Sequence, residues 1–458
     1  MSDLDVTDGA PTAQQARTSA LEVVLGRHVW RAPLVIGSLF VALVVTIYLG
    51  SVVNPTGHLH GLPVLLVDQD TGANAGSRHL DVGADVASAL QRTPAISGRL
   101  ALRRVSLGEA HRLMDEGKAY ATVVLPATLS SSVLLAAGAE GQNSAPAQAT
   151  IALEENQRLG SLGVNLAAGV LTPALTKISE QLGTEISPSA SASTRKNPVL
   201  TAHLADPVSL RTITYRPLPD HSALGLSAFY IALLSILAGF IAGTLINNSI
   251  DSALGYASTE LGPRWTHKRP VAISRRQTFL AKWGTAVLVV PILTAIVMAI
   301  AVGALGMYAP HVVLLWIMGT LAALMIATGT LALLAVFGSI GQLLAMLLLI
   351  YLSLASSGGT VPPQALPGVF NLVGKVEPLR QVLGGTRAIL YFDAKGSAGL
   401  THSLIVIACE LLFWALVGLL VTGSYDRRKL DRISPAALAA VDRSIARGAT
   451  EQAGADAV

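Results

Sequence analysis

Residues 34–53 read LVIGSLFVALVVTIYLGSVV, and residues 63–70 read PVLLVDQD. The first stretch, about 20 residues without a charge, is long enough to cross a ~30 Å hydrocarbon core as a helix. The second is a short apolar run closed by an acidic turn, the pattern of a buried strand in a water-soluble domain. A span that leads into a soluble strand governs the reading of the rest. Five more apolar stretches follow, at 223–246, 285–305, 312–337, 343–357 and 404–422. The expected fold class is a membrane protein: a six-helix transmembrane bundle with an extracytoplasmic α/β domain inserted between helices one and two.

Composition agrees. A hydrophobic fraction of 52% with 13% charged residues excludes an ordinary soluble enzyme. Basic residues flanking the apolar stretches fall into three groups: Arg27 and Arg31; Arg264, Lys268, Arg269, Arg275, Arg276 and Lys282; Arg427, Arg428, Lys429 and Arg432. Six spans with both termini cytoplasmic put all three groups on the inner side, as the positive-inside rule requires. Arginine outnumbers lysine 24 to 8, which points to a G+C-rich bacterium and so to a bacterial cytoplasmic membrane. The first span lacks a small-x-small cleavage site and reads as a signal anchor. The single cysteine, Cys409, lies in the sixth span, so no disulfide staples the outer domain.

The expected divisions are 1–33, a tail with an interfacial helix at 19–31 or a helical extension of the span; 34–53, the first span; 54–221, the α/β domain; 222–424, the five-helix region; and 425–458, a basic tail. Within 54–221, strands are expected at 63–68, 100–106, 119–125, 150–154 and 208–215. Helices are expected at 82–91 and 107–116, with a long amphipathic stretch at 157–182 and a polar linker at 187–198. Within the five-helix region, 247–282 is a long basic cytoplasmic loop, and 358–399 is an outer segment whose apolar pieces, 369–373 and 389–392, are too short to cross. Gly338 to Gly341 reads as a tight hairpin between spans four and five.

These features resemble the ABC-2 type permeases, and within them the YhgE/Pip (phage infection protein) branch. The resemblance rests on the span–domain–five-span layout and on 64–70, Tyr120 through Pro126, Ser356 through Thr360 with Pro362, Pro363, Leu366 and Pro367, and Pro378 followed by Thr386 and Arg387. It implies a homodimer that exports a hydrophobic or amphipathic molecule, with any ATPase on a separate nucleotide-binding subunit. ATP-coupled members carry an acidic Gly-Thr-Leu string in the loop between spans two and three. Here that loop reads Asp251-Ser252-Ala253-Leu254-Gly255, and the string is absent. A non-transporting scaffold or receptor for cell-envelope or secretion machinery therefore stays open as an alternative.

Individual residues narrow this. The chain has no phosphate-binding loop: Gly368, Gly374 and Lys375 come nearest, but five residues separate the glycines and Val376 follows the lysine. No enzyme activity, cofactor, metal site or nucleic-acid partner is expected. His58 and His60 read as surface histidines, and Asp68 and Asp70 as turn-forming carboxylates. Glu410 lies midway along span six, where a charge costs at least ~2.5 kcal/mol on insertion scales. It is a candidate for a substrate path or proton relay, hence a third reading as a proton-coupled transporter; the structural alternative is a bond to a hydroxyl such as Ser235 or Thr328. Gly239 and Gly243 form a G-x-x-x-G that suits close helix packing. Asp251, Arg264, Lys268, Arg269, Arg275 and Arg276 are candidates for gripping a partner subunit or membrane lipid.

Overall fold

The computed structural model describes residues 27–75, 78–137, 148–189, 198–261, 264–266, 268–430 and 432. The chain divides into two compact units, Met1–Gly50 and Ser51–Val458. In the first unit, helix α1 (Arg27–Val52) begins before the apolar stretch, so Arg27 through Arg31 belong to the same helix. The rest of the expected interfacial helix lies outside the described residues. Among the described residues, six helices are long and apolar enough to cross a membrane: 34–52 of α1, and Ser227–Ala253, Arg275–Ala304, Val312–Phe337, Ser339–Ser356 and Leu400–Arg427.

The second unit opens with a mixed five-stranded sheet. Its strands are β1 (Leu62–Asp68), β4 (Leu100–Arg104), β5 (Ala121–Leu125), β6 (Ala149–Glu155) and β7 (Val208–Thr214), in the order β4-β1-β5-β6-β7. β1 runs parallel to β4 and β5, with Val64 opposite both Leu102 and Ala121; β5 and β6 are antiparallel; β6 and β7 are parallel. A short hairpin, β2 (Ala73–Ala75) and β3 (Arg78–Leu80), follows the acidic turn.

Alternation along β1 builds the domain core, because successive side chains of a strand point to opposite faces. Leu62, Val64 and Leu66 are buried with Val82, Val86 and Leu90 of helix α2 (Val82–Arg92) and with Val164, Ala167 and Leu171 of helix α3 (Ser161–Ile186). Leu65 and Val67 face the other way, against Ala110, Leu113 and Met114. The acidic turn is a structural knot. Asp70 accepts from the N–H groups of Gly83 (2.8 Å) and Ser130 (3.1 Å), and Asp68 pairs with Arg104 (2.6 Å).

The longer helices that follow are α4 (Ser227–Ala253), α5 (Arg275–Met298, continued by a π-helical stretch at Ala299–Ala304), α6 (Val312–Phe337), α7 (Ser339–Ala345, continued by a π-helical stretch at Met346–Leu352 and by Ser353–Ser356), α8 (Pro378–Tyr391) and α9 (Leu400–Arg427). Helix α6 is the centre, packed against α4, α5 and α9. Gly239 lies where α4 crosses α6: a Cβ there would come within 2.2 Å of the Ala323 carbonyl oxygen. Gly338 turns α6 into α7 at φ 64° and ψ −137°, a conformation open to glycine and barred to residues with a Cβ.

Three features differ from the sequence reading. The 187–198 linker is followed at once by a helix, Pro198–Ala205. The basic loop carries a hairpin, Thr259–Leu261 with Arg264–Thr266. The 358–399 segment holds a 14-residue helix, α8, with eleven buried positions. Arg380, Gly384, Gly385 and Arg387 interrupt its hydrophobicity, so counting apolar runs found only its last turn. The start signal was present: Pro378 stands at the first helical position.

Candidate functional site

At the end of the bundle that carries the basic loop, α4, α5, α6, α7 and α9 enclose a cavity of about 560 Å³. Such a volume falls within the ~300–1,000 Å³ usual for small-molecule sites. Its polar wall includes Thr244, Asn247, Asp251, Lys282 and Gln342; its apolar wall includes Phe279, Leu334 and Val336.

The polar wall is held by one carboxylate. Asp251 occupies the last turn of α4, and Lys282 lies two turns into α5. Lys282 Nζ donates to Asp251 Oδ1 at 2.7 Å and to Asn247 Oδ1 at 2.7 Å. Arg432, beyond the end of α9, donates to both Asp251 oxygens, at 2.6 and 3.0 Å, and its guanidinium lies 4.4 Å from the Tyr256 ring centroid. A bidentate arginine pair is the strong, geometry-fixing kind of ion pair. Thr244 and Gln342 bond each other across the cavity, with the Gln342 amide donating at 3.1 Å.

The cavity rim is set by the start of α5. Ser274 caps the helix in a reciprocal box with Gln277. Asp426, near the end of α9, accepts from the backbone N–H groups of Arg275 (2.8 Å) and Arg276 (3.0 Å), where the helix dipole favours negative charge. The Arg275 side chain lies over the Tyr425 ring, 5.3 Å from its centroid, and donates through Nε to the Leu430 carbonyl at 2.7 Å.

A family model described as "Protein of unknown function (DUF3533)" matches residues 33–415. The chain belongs to this family. The DUF3533 match spans the α/β domain and all of the second unit's spanning helices except the last turns of α9. No curated protein matches the chain. Among solved structures, one described as a domain of a "putative ABC type-2 transporter from Thermotoga maritima MSB8" is 18% identical, covers 33% of this chain and 85% of its own, and superposes with a TM-score of 0.23. That overlap is too slight to carry an argument.

Of the residues singled out in this DUF3533 member, the cavity gathers Asp251 and Arg275. Asp251 is buried in the bundle and does not present itself as a loop side chain. Lys268 is exposed and does not line the cavity, and neither do Arg269 and Arg276; the Arg264 side chain lies outside the described residues. Lys282 and Arg432, read only as topology markers, turn out to hold the polar wall. Each stands in a basic cluster next to a span, so nothing in the sequence signals that these two in particular meet Asp251.

Glu410 lies elsewhere, on α9 beside α8. Its Oε1 is buried without a hydrogen-bond partner, and Glu377, which precedes α8, is close enough for its charge to act on Glu410. The expected hydroxyl partners are otherwise engaged. Ser235 donates to the Ile231 carbonyl (2.8 Å), and Thr328 donates to the Leu324 carbonyl (2.7 Å) and accepts from Trp283 Nε1 (3.2 Å). Both hydroxyls are held by the backbone of their own helices. Burial pushes Glu377 up to about 7, with a bond from the Ser353 hydroxyl pulling the other way. Farther along α8, burial pulls Arg380 down to about 10 and lowers Arg387 too, while the Tyr120 phenol raises both.

His60 Nδ1 lies 2.7 Å from the His58 carbonyl oxygen. Among the described residues, no three His, Cys, Asp or Glu side chains converge on a metal position.

Proposed function

We propose that the protein is an ABC-2 type permease that exports an amphipathic molecule across a bacterial cytoplasmic membrane, with both termini inside. It works as a homodimer, in contact with membrane lipid, and takes energy from a separate ATPase subunit. The observation that carries this reading is the cavity between the spanning helices: it joins the polar Asn247, Asp251, Lys282 and Gln342 to the apolar Phe279, Leu334 and Val336, at the end that carries the basic connection between α4 and α5. A scaffold needs no such chamber. Arg275, the first residue of α5, lines the chamber, so movement of the loop that leads into α5 alters access to it. The test is efflux of an amphipathic fluorophore from cells with and without the protein, together with mass spectrometry of what co-purifies in mild detergent. Export that depends on a stoichiometric nucleotide-binding subunit supports the reading; recovery with envelope proteins and no efflux favours the scaffold.

A second reading rests on Glu410 and Glu377. A second buried carboxylate nearby makes it harder for a carboxylate to ionise. A proton-coupled permease would use that pair. Glu410→Gln abolishes efflux under this reading and spares it under the ATP-driven one.

A further inference from the structure

We propose that the loop-end cavity is a binding site for a phosphate-type anionic headgroup, the polar end of an amphiphile whose apolar part lies against Phe279, Leu334 and Val336. Among the described residues, three cationic side chains line the cavity, Arg275, Lys282 and Arg432, against one carboxylate, Asp251. Asp251 has three of its roughly four acceptor positions filled: Oδ1 accepts from Lys282 and Arg432, and Oδ2 accepts from Arg432. Asp426, a second described carboxylate at this end, is committed to the backbone N–H groups of Arg275 and Arg276.

Donors are left over. An ammonium carries three N–H groups and a guanidinium five. Lys282 spends two, on Asp251 and Asn247, and Arg275 spends its Nε on a backbone carbonyl. Among the described residues no carboxylate pairs with the Arg275 side chain. Asn247, Asn248 and Ser339 add neutral donors to the same wall. A site with surplus cationic donors, partly screened from water, favours an oxygen-rich anion, and a guanidinium recognises such oxygens in pairs. Lys282 is nearly buried, so its charge acts at low dielectric, where it is worth more than on a surface.

This site deepens the export reading by naming the substrate's head, and it can be tested apart from transport. The full chain is placed in nanodiscs of phosphatidylcholine, and two probes are compared: phosphatidylglycerol doped into the disc, and inorganic phosphate in the buffer. Retained lipid is counted by native mass spectrometry, and stability is followed by the thermal midpoint. Phosphatidylglycerol is expected to be retained and to raise the midpoint. Lys282→Gln and, independently, Arg275→Gln reduce that retention at least ten-fold, while Arg92→Gln in the α/β domain matches the wild type. If Lys282→Gln fails to fold, Arg275→Gln, at the rim, decides. An equal rise from inorganic phosphate, with the same sensitivity to the two variants, also supports the site and assigns it a soluble phosphate. Response to neither probe, or retention unchanged in both variants, overturns it. Headgroup binding without any efflux leaves the site standing and rejects the export reading.

Discussion

Asp251 and Arg432, 181 positions apart, are joined by two hydrogen bonds of 2.6 and 3.0 Å. This pair fastens the segment after α9 to the end of α4 and, through Lys282, to α5. The side chains of Asp251 and Lys282 are 10% and 8% exposed, so Lys282 depends on Asp251 for its counter-charge, while Asp251 has Arg432 as well. Asp251→Asn leaves Lys282 buried without a counter-charge and costs about 3–5 kcal/mol. Asp251→Asn with Lys282→Met removes both charges and recovers most of that loss. Thermal unfolding of the single and double variants in one detergent checks this.

Gly239 predicts a second result. A methyl group there meets the Ala323 carbonyl, whereas a methyl at Gly284 on α5 meets nothing within 4 Å. Gly239→Ala therefore destabilises by about 1–3 kcal/mol through overpacking. Gly284→Ala is neutral, or stabilises by up to ~1 kcal/mol through helix propensity. A pair of unfolding curves separates the two.

Glu377 gives a pH dependence. Burial raises its folded pKa to about 7, from an ordinary 4.5. The native state then holds a proton that the unfolded chain releases between those values. Its contribution is complete below about 4.5 and is lost as pH rises through 7. Glu377→Gln should flatten the fall in the thermal midpoint between pH 5 and 7.5, while the wild type keeps its slope.

Arg158 ties the α/β domain to α8. It donates to the carbonyls of Arg216 (3.1 Å), Pro217 (3.3 Å) and Tyr391 (2.9 Å). Truncating it to Ala leaves those carbonyls without their charged donor, at about 1.5–3 kcal/mol. Limited proteolysis should then cut near Arg216 earlier than in the wild type.

Much of this architecture was legible in order. Val312–Phe337 matched to the residue, because an uninterrupted apolar run between His311 and Gly338 has one helical reading. β1 was legible from its run of Val and Leu before Asp68. Helix α8 was not, because its buried face is built by tertiary contact and its sequence mixes glycine and arginine with leucine. The cavity was hidden for a related reason. Asp251, Lys282 and Arg432 are brought together by the crossing of three helices, and no spacing in the sequence records that meeting. Glu410 announced itself by its charge in a span, yet its neighbour Glu377 lies 33 positions away, in a segment that read as irregular.

The central claim is that the substrate passes through the loop-end cavity. The chain has one cysteine, Cys409, so Cys409→Ser gives a thiol-free background. Ser339→Cys then places a single exposed thiol on the cavity wall. Efflux of a phosphate-bearing fluorescent amphiphile is measured before and after modification with a bulky thiol reagent. The account predicts that modification stops efflux at unchanged protein level. Efflux that continues at the unmodified rate in fully labelled protein would contradict it.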